Sequence, residues 1–364
     1  MNRFRTFLVS LAALALLVCS TLVATSLADS GANHKVRNQH FGVSGGNVKD
    51  ISRRFCCSGT LGSLVKDSSG VNYILSNNHV LGLAGAATAG DDVSQPGLID
   101  NNCAVATVVG DFTAAPALSS GVDCAVAALR AGTMDSTGFI EDIGTISSVT
   151  KTPAIGLGVA KSGRTTGFQT GSISSISTTV SIKYPTSCGG NSGPTFTFTN
   201  QVVINSSTFS AGGDSGSLIV TNDANHQPVA LLFAGSSTST IGNPINLVLS
   251  RLSATLGKTV SFVGASLGTP TAPAFSITTD GGIVEGPSEL AIAGVTRVMR
   301  DHEAELMSMP GVLGVGVGQG TKNNGEALIV VYVNRDNQKA LLDVPKSVGG
   351  VRVKRILTDE FVAR

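Results

Sequence analysis

The 364-residue chain has no Trp, and only 13% of its residues carry charge. A globular average is about 25% charged, and a disordered chain pairs low hydrophobicity with high net charge. This chain is 42% hydrophobic, so it folds. A basic excess is missing too: Lys plus Arg is 25 against 24 Asp plus Glu. That excludes a general nucleic-acid binder, which must displace counterions from phosphates. There is no Cys-x-x-Cys pair and no His–Cys spacing of the zinc type, so no metal site and no cofactor are expected. Past the N-terminus there is no second long apolar run. What is abundant is glycine, 44 residues of it. With few charges and no Trp, that points to many short strands and tight turns rather than helical bundles.

Arg3 and Arg5 precede an apolar run from Phe7 to Ala24, and Ser26-Leu27-Ala28 supplies the small residues that a signal peptidase reads. Residues 1–28 are therefore expected to be a signal peptide, although the run is also near the length of a membrane anchor. Val18 before Cys19 does not suit lipid attachment. The mature product is expected to be secreted, or periplasmic where the source has an outer membrane, and free of membrane once the signal is removed.

Export makes disulfides chemically reasonable. After Cys19 leaves with the signal, Cys56, Cys57, Cys103, Cys124 and Cys188 remain. The number is odd, so one thiol must stay unpaired within a monomer, and the sequence leaves the pairing open. Cys124 falls on a predicted strand and is expected in the core.

Length alone allows about two domains. Residues 29–54 are polar and read as an extended lead-in. From 55 to 263, short β-prone runs alternate with Gly, Asn, Ser and Pro, as in a sandwich or a pair of barrels. One helix closes this region: Asn243 can cap it, Pro244 suits its first position, and Gly257 stops it. Residues 264–287, rich in Pro and Gly, read as a linker. From 288 to 364 the texture changes to a small α/β unit, with a helix over Glu289–Met309, strands near 311–318, 327–333 and 351–357, and a short helix near 335–342. His34, His40 and His226 sit among polar residues and are expected to face solvent. The glycines of 311–318 lack a phosphate-loop ending and read as strand residues.

Three stretches carry the types needed for acyl transfer. Ser76-Asn77-Asn78-His79-Val80 puts His79 at a strand end, Gly121-Val122-Asp123-Cys124-Ala125 puts an acid at a strand entry, and Gly212-Gly213-Asp214-Ser215-Gly216-Ser217 puts a Ser in a tight turn. A Ser hydroxyl is a poor nucleophile until a neutral imidazole can take its proton. A carboxylate fixes the tautomer of that imidazole and stabilises the cation that forms. Glycines around the Ser let backbone amides converge on a developing oxyanion, and losing one such donor typically costs about 3 kcal/mol.

In this order and context the residues resemble the trypsin-like (chymotrypsin-fold) serine peptidases over about residues 55–263. The closest texture is that of bacterial secreted, narrow-leaf-type members, through Ser58–Val65, Leu75–Leu81 and Gln95–Asp100. Lys161-Ser162-Gly163-Arg164-Thr165-Thr166-Gly167 looks like the opening of the second barrel, and the segment from Pro310 to Gly318 resembles an accessory module. The resemblance implies a mainly β chain of two six-stranded antiparallel barrels, followed by the α/β module. It implies His79 as general base, Asp123 as its orienter and Ser215 as nucleophile, with the amides of Gly213 and Ser215 as oxyanion hole. Leu232–Ser236 resembles the strand that pairs with substrate backbone, which makes Gly235 and Ser236 substrate-binding candidates. Phe209 stands where trypsin-type members carry the acid that selects Lys or Arg, so no preference for basic side chains is expected. A pocket His of the glutamate-specific branch is replaced by Phe233. Small or apolar side chains are the expected preference, in a protein or peptide substrate. No Arg-Ile-Val-Gly-Gly activation site occurs, which leaves open whether a new N-terminal amine must pair with Asp214.

The alternatives are a catalytically decayed trypsin-fold binding or scaffold protein, with self-association through the C-terminal module, and an esterase using the same three groups.

Overall fold

The computed structural model describes residues 33–190, 192–267, 286–320 and 325–363. The signal expected over 1–28 lies outside them, as does most of the linker read over 264–287.

Two β-sheets carry the described fold. The first joins, in hydrogen-bonded order, Val260–Phe262, Ser63–Asp67, Asn72–Ser76, Ala125–Leu129, Thr107–Ala114, Asp92–Gln95, Val43–Asn47 and Gly59–Leu61. Its ends meet because Gly59–Leu61 and Ser63–Asp67 are one stretch of chain broken at Gly62, whose amide donates to the Leu75 carbonyl at 2.9 Å. Val43, Leu64, Ile74, Val109 and Val126 fill its interior.

This barrel begins earlier than residue 55. Val43–Asn47, inside the stretch read as a lead-in, pairs with Gly59–Leu61 on one side and Asp92–Gln95 on the other. Its sequence, Val-Ser-Gly-Gly-Asn, has little β-propensity. Packing selects it: a Cβ on Gly45 would lie 2.4 Å from Leu61 Cγ, so only glycine lets the strand close over that side chain.

The second sheet begins, among the described residues, with Gly167–Ser172, Gly158–Gly163, Leu218–Thr221, Pro228–Gly235, Ser239–Pro244, Ser192–Asn205 and Ser175–Pro185. It does not stop there. Val312–Gln319 pairs antiparallel with Ser175–Pro185, and Ala327–Asn334, Val351–Thr358 and Ser347–Val348 continue the path. The C-terminal α/β unit is thus an extension of the second barrel's sheet.

That continuity explains the Gly-Val run. Val315 and Val317 pack into a core with Val295, Met299 and Leu306 of the helix Glu289–Ser308. The alternating glycines face the barrel, where a Cβ on Gly316 would come within 2.3 Å of Thr178 Oγ1. The helix starts where Ser288 accepts a bond from the Ala291 amide.

Two disulfides cross-link the fold, Cys56–Cys103 and Cys57–Cys188. Cys124 is the free, buried thiol, and burial, aided by the Asp123 charge, holds it well above its ordinary pKa. His34 departs from the sequence reading. It is buried, with Nδ1 2.7 Å from the Gly42 carbonyl and Nε2 2.9 Å from Asp142. Those partners lie far along the chain or across a turn, so nothing near His34 in the sequence announced them.

Candidate active site

Strand register brings the first two candidates together. Ser76 pairs with Ala125 in the antiparallel ladder, so the residues just past one strand meet those just before the other. His79, in the one-turn helix Asn78–Leu81, therefore faces Asp123. Nδ1 lies 2.6 Å from Asp123 Oδ2, and the His79 amide donates to Oδ1 at 3.2 Å. With a carboxylate on Nδ1 the ring proton sits there, leaving the Nε2 lone pair for a base.

Asp123 has no solvent-exposed surface, and a buried carboxylate needs donors. A third comes from the second barrel: the Tyr184 hydroxyl donates to Oδ2 at 2.7 Å. Tyr184 is buried against Phe196 and Phe198 and meets the His79 ring edge-on. Burial, reinforced by the Asp123 charge, pushes its hydroxyl well above the ordinary value, so it stays a neutral donor. Two amides fix the Asp123 backbone as well. The Asp123 N–H donates to Asn243 Oδ1 at 2.9 Å, and Asn77 Nδ2 donates to the Asp123 carbonyl at 2.7 Å.

Neither Tyr184 nor Asn243 was singled out for this role from sequence. Asn243 read as a helix cap, but the helix Ile245–Leu256 has Pro244 at its cap and no side-chain capping bond. Asn243 instead bridges Asp123 and Gln201, to which its Nδ2 donates at 2.6 Å. No local pattern at Tyr184 points to Asp123, its partner 61 residues away.

Ser215 sits in the turn between Phe209 and Leu218. Gly213 there has φ +96°, and a Cβ on it would lie 2.5 Å from Thr165 Oγ1, so the turn requires glycine. Among the described residues neither the Gly213 nor the Ser215 amide donates to another group. Ser215 Oγ donates to the Phe233 carbonyl at 3.3 Å, and its own carbonyl accepts from the Thr60 amide at 2.8 Å. Ser215 is fully buried.

Asp214 is held from inside the barrel. Its carboxylate accepts from the amides of Ala211, Thr165 and Thr166 and from the Thr166 hydroxyl. Lys161 Nζ stands 3.3 Å from Oδ2, both side chains fully buried. Arg164 on the same hairpin makes two bonds to Asp100 of the first barrel, at 2.6 and 2.7 Å. The stretch Lys161–Gly167 thus fastens the Ser215 turn and ties the two barrels.

A cavity of about 450 Å³ opens beside these groups. His79, Tyr184, Gly213, Asp50, the Cys57–Cys188 disulfide and Ala363 all contribute to its wall. Burial pushes the Asp50 carboxyl up to about 6, against the opposing pull of His79. Asp50, Cys57 and Cys188 cluster closely enough to suggest a metal, but both sulfurs belong to the disulfide and offer no thiolate.

Of the three substrate-side candidates, Phe209 lies away from the cavity, and Gly235 and Ser236 are paired within the chain. Phe209 is not in the cavity wall; it is fully buried among Val159, Ile204 and Leu232 of the second barrel. An apolar ring beside apolar strands gains more from that core than from a wet cleft. Gly235 pairs with Val362, and Ser236 Oγ accepts from the Thr358 hydroxyl at 2.6 Å, so both are covered by the chain's own C-terminal segment.

No family model and no curated protein matches this chain. Among solved structures it is similar to Cellulomonas bogoriensis chymotrypsin, at 17% identity over 62% of this chain and 99% of that chain, with a TM-score of 0.41. It is also similar to Thermobifida fusca protease A, at 20% identity over 57% and 92% with a TM-score of 0.38. A third is a glutamic acid specific serine protease, at 18% identity over 61% and 98% with a TM-score of 0.42.

Proposed function

We propose that this chain is an exported serine endopeptidase that cleaves peptide bonds through an acyl-enzyme on Ser215. The observation that carries the reading is the His79–Asp123 pair at 2.6 Å, held by donors from both barrels, on the same cavity as the Gly213 turn. A carboxylate so fully fixed has one evident use, to orient an imidazole and stabilise it when charged.

The steps follow from the groups present. His79 Nε2 takes the Ser215 proton as Oγ attacks the substrate carbonyl, and the amides of Gly213 and Ser215 receive the oxyanion. His79 returns the proton to the leaving amine, leaving Ser215 acylated. Water, deprotonated by His79, then releases the acid. Asp123 keeps its negative charge throughout, and Tyr184 shares in holding it. The Lys161–Asp214 pair supports a turn that is competent without a new N-terminal amine.

Two disulfides suit an extracellular setting, and no described helix is long and apolar enough to cross a membrane. Phe209 in the core leaves no acid from that position to select Lys or Arg, which favours small or apolar substrate side chains.

The test is labelling with a fluorophosphonate probe, comparing wild type with Ser215→Ala. Label that depends on Ser215, together with cleavage of a protein substrate, is the expected result. Label with ester turnover and no proteolysis would leave an esterase, and no Ser215-dependent label would leave a binding protein.

A further inference from the structure

The strand next to Ser215 already has a peptide on it. Pro228–Gly235 pairs with Leu218–Thr221 as far as Leu231, and Leu232 exchanges bonds with Gly216 and Ser217. Beyond that point the partner strand turns away and leaves an edge. Phe361–Ala363 fills this edge, with Ala363 antiparallel to Ala234 and Val362 to Gly235. On its other side the same segment pairs parallel with Ser175–Pro185, through Ile182 with Phe361 and Lys183 with Val362.

Position gives this pairing its meaning. Ala234 follows Phe233, whose carbonyl receives the Ser215 hydroxyl, and Ala363 shares the cavity wall with His79 and Gly213. An extended substrate that places a peptide bond beside Ser215 needs a strand edge for its backbone, and this one adjoins the nucleophile. Ser215 itself has no exposed surface. The C-terminal sheet delivers the segment: Val351–Thr358 leads directly into it. Phe361 is buried against Tyr332, Thr358 bonds Ser236, and Lys183 pairs with Glu360 at 3.0 Å.

On the reading that Ser215 is the nucleophile, we infer that Phe361–Ala363 occupies the substrate's backbone lane and holds the enzyme in a self-inhibited state. The same register defines the substrate class. Substrates would be extended peptides whose backbone pairs with Ala234 and Gly235 as Ala363 and Val362 do here. The block is non-covalent, held by strand pairing together with the Phe361, Thr358 and Glu360 contacts.

The test uses the full-length chain with Val362→Pro, which removes an amide donor at a partly exposed position and leaves Phe361 in the core. Phe361→Ala is the second variant, and circular dichroism checks that each is folded. One readout is the rate of fluorophosphonate labelling. The other is binding of a fluorescent peptide of sequence Thr-Asp-Glu-Phe-Val-Ala, which needs no catalysis. Val362→Pro should label at least tenfold faster than wild type and bind the peptide at least tenfold more tightly, and the peptide should slow its labelling. Peptide binding gained without any labelling supports the occupied lane while overturning the peptidase reading. Peptide binding and labelling in both folded variants equal to those of wild type overturn the inference.

Discussion

Lys161 Nζ stands 3.3 Å from Asp214 Oδ2, and neither side chain reaches solvent. Burial lowers the lysine's pKa while Asp214 pulls it back up, so the buried ammonium depends on Asp214 to remain charged. Lys161→Met would leave Asp214 buried without its counter-charge. Breaking a buried pair from one side typically costs about 3–5 kcal/mol. Urea unfolding should show a loss of that order, and labelling of Ser215 should fall with the disordered turn. A stability within about 1 kcal/mol of wild type would show that the pair does not hold the loop.

Tyr184→Phe keeps the ring and its packing but removes one donor to Asp123. A hydrogen bond to a charged group is worth about 1.5–3 kcal/mol. With the aromatic contacts preserved, kcat/KM should drop roughly tenfold while the melting temperature moves by only a few degrees. Unchanged kinetics on a small ester would remove Tyr184 from the site.

Asp50 gives a pH signature. Its carboxyl titrates at about 6 in the fold against an ordinary value of 3.8. Between those values the folded chain holds a proton that the unfolded chain has released, so this group lowers stability as pH rises through the window. Asp50→Asn removes that dependence, and the gap between variant and wild type should widen from pH 4 to 6 and then stay constant. Ionised Asp50 also favours the His79 cation. In the variant, the acid limb of kcat/KM should therefore move to lower pH.

The Cys57–Cys188 disulfide closes 131 residues and forms part of the cavity wall. Replacing both cysteines with Ser should cost about 2–5 kcal/mol, read as a lower melting temperature. Reductant should then cost the wild type more than the variant, which retains only the Cys56–Cys103 bridge.

Elements whose signals lie within one segment form where that segment's pattern puts them. The helix expected over Glu289–Met309 runs over Glu289–Ser308, because an apolar stripe and a Ser cap announce it within one segment. Gly257 ends the preceding helix at φ +66°, as a residue free of a Cβ should. The strand expected near 327–333 runs over Ala327–Asn334, while Val43–Asn47 falls within the expected lead-in because its β-propensity is low and its partners supply the structure.

Sequence by itself determined the types at the site. An imidazole past one strand, an acid before the next and a Ser among glycines are local patterns, each set by backbone and side-chain chemistry within a few residues. Tertiary structure decided what those residues touch. Asn243 turned from a helix cap into a brace for Asp123, Tyr184 crossed from the other barrel, and Lys161 found Asp214. It also laid Phe361–Ala363 along the strand beside Ser215. Such contacts join residues 53 to 129 positions apart, and their energy comes from burial and register that exist only once both sheets have closed.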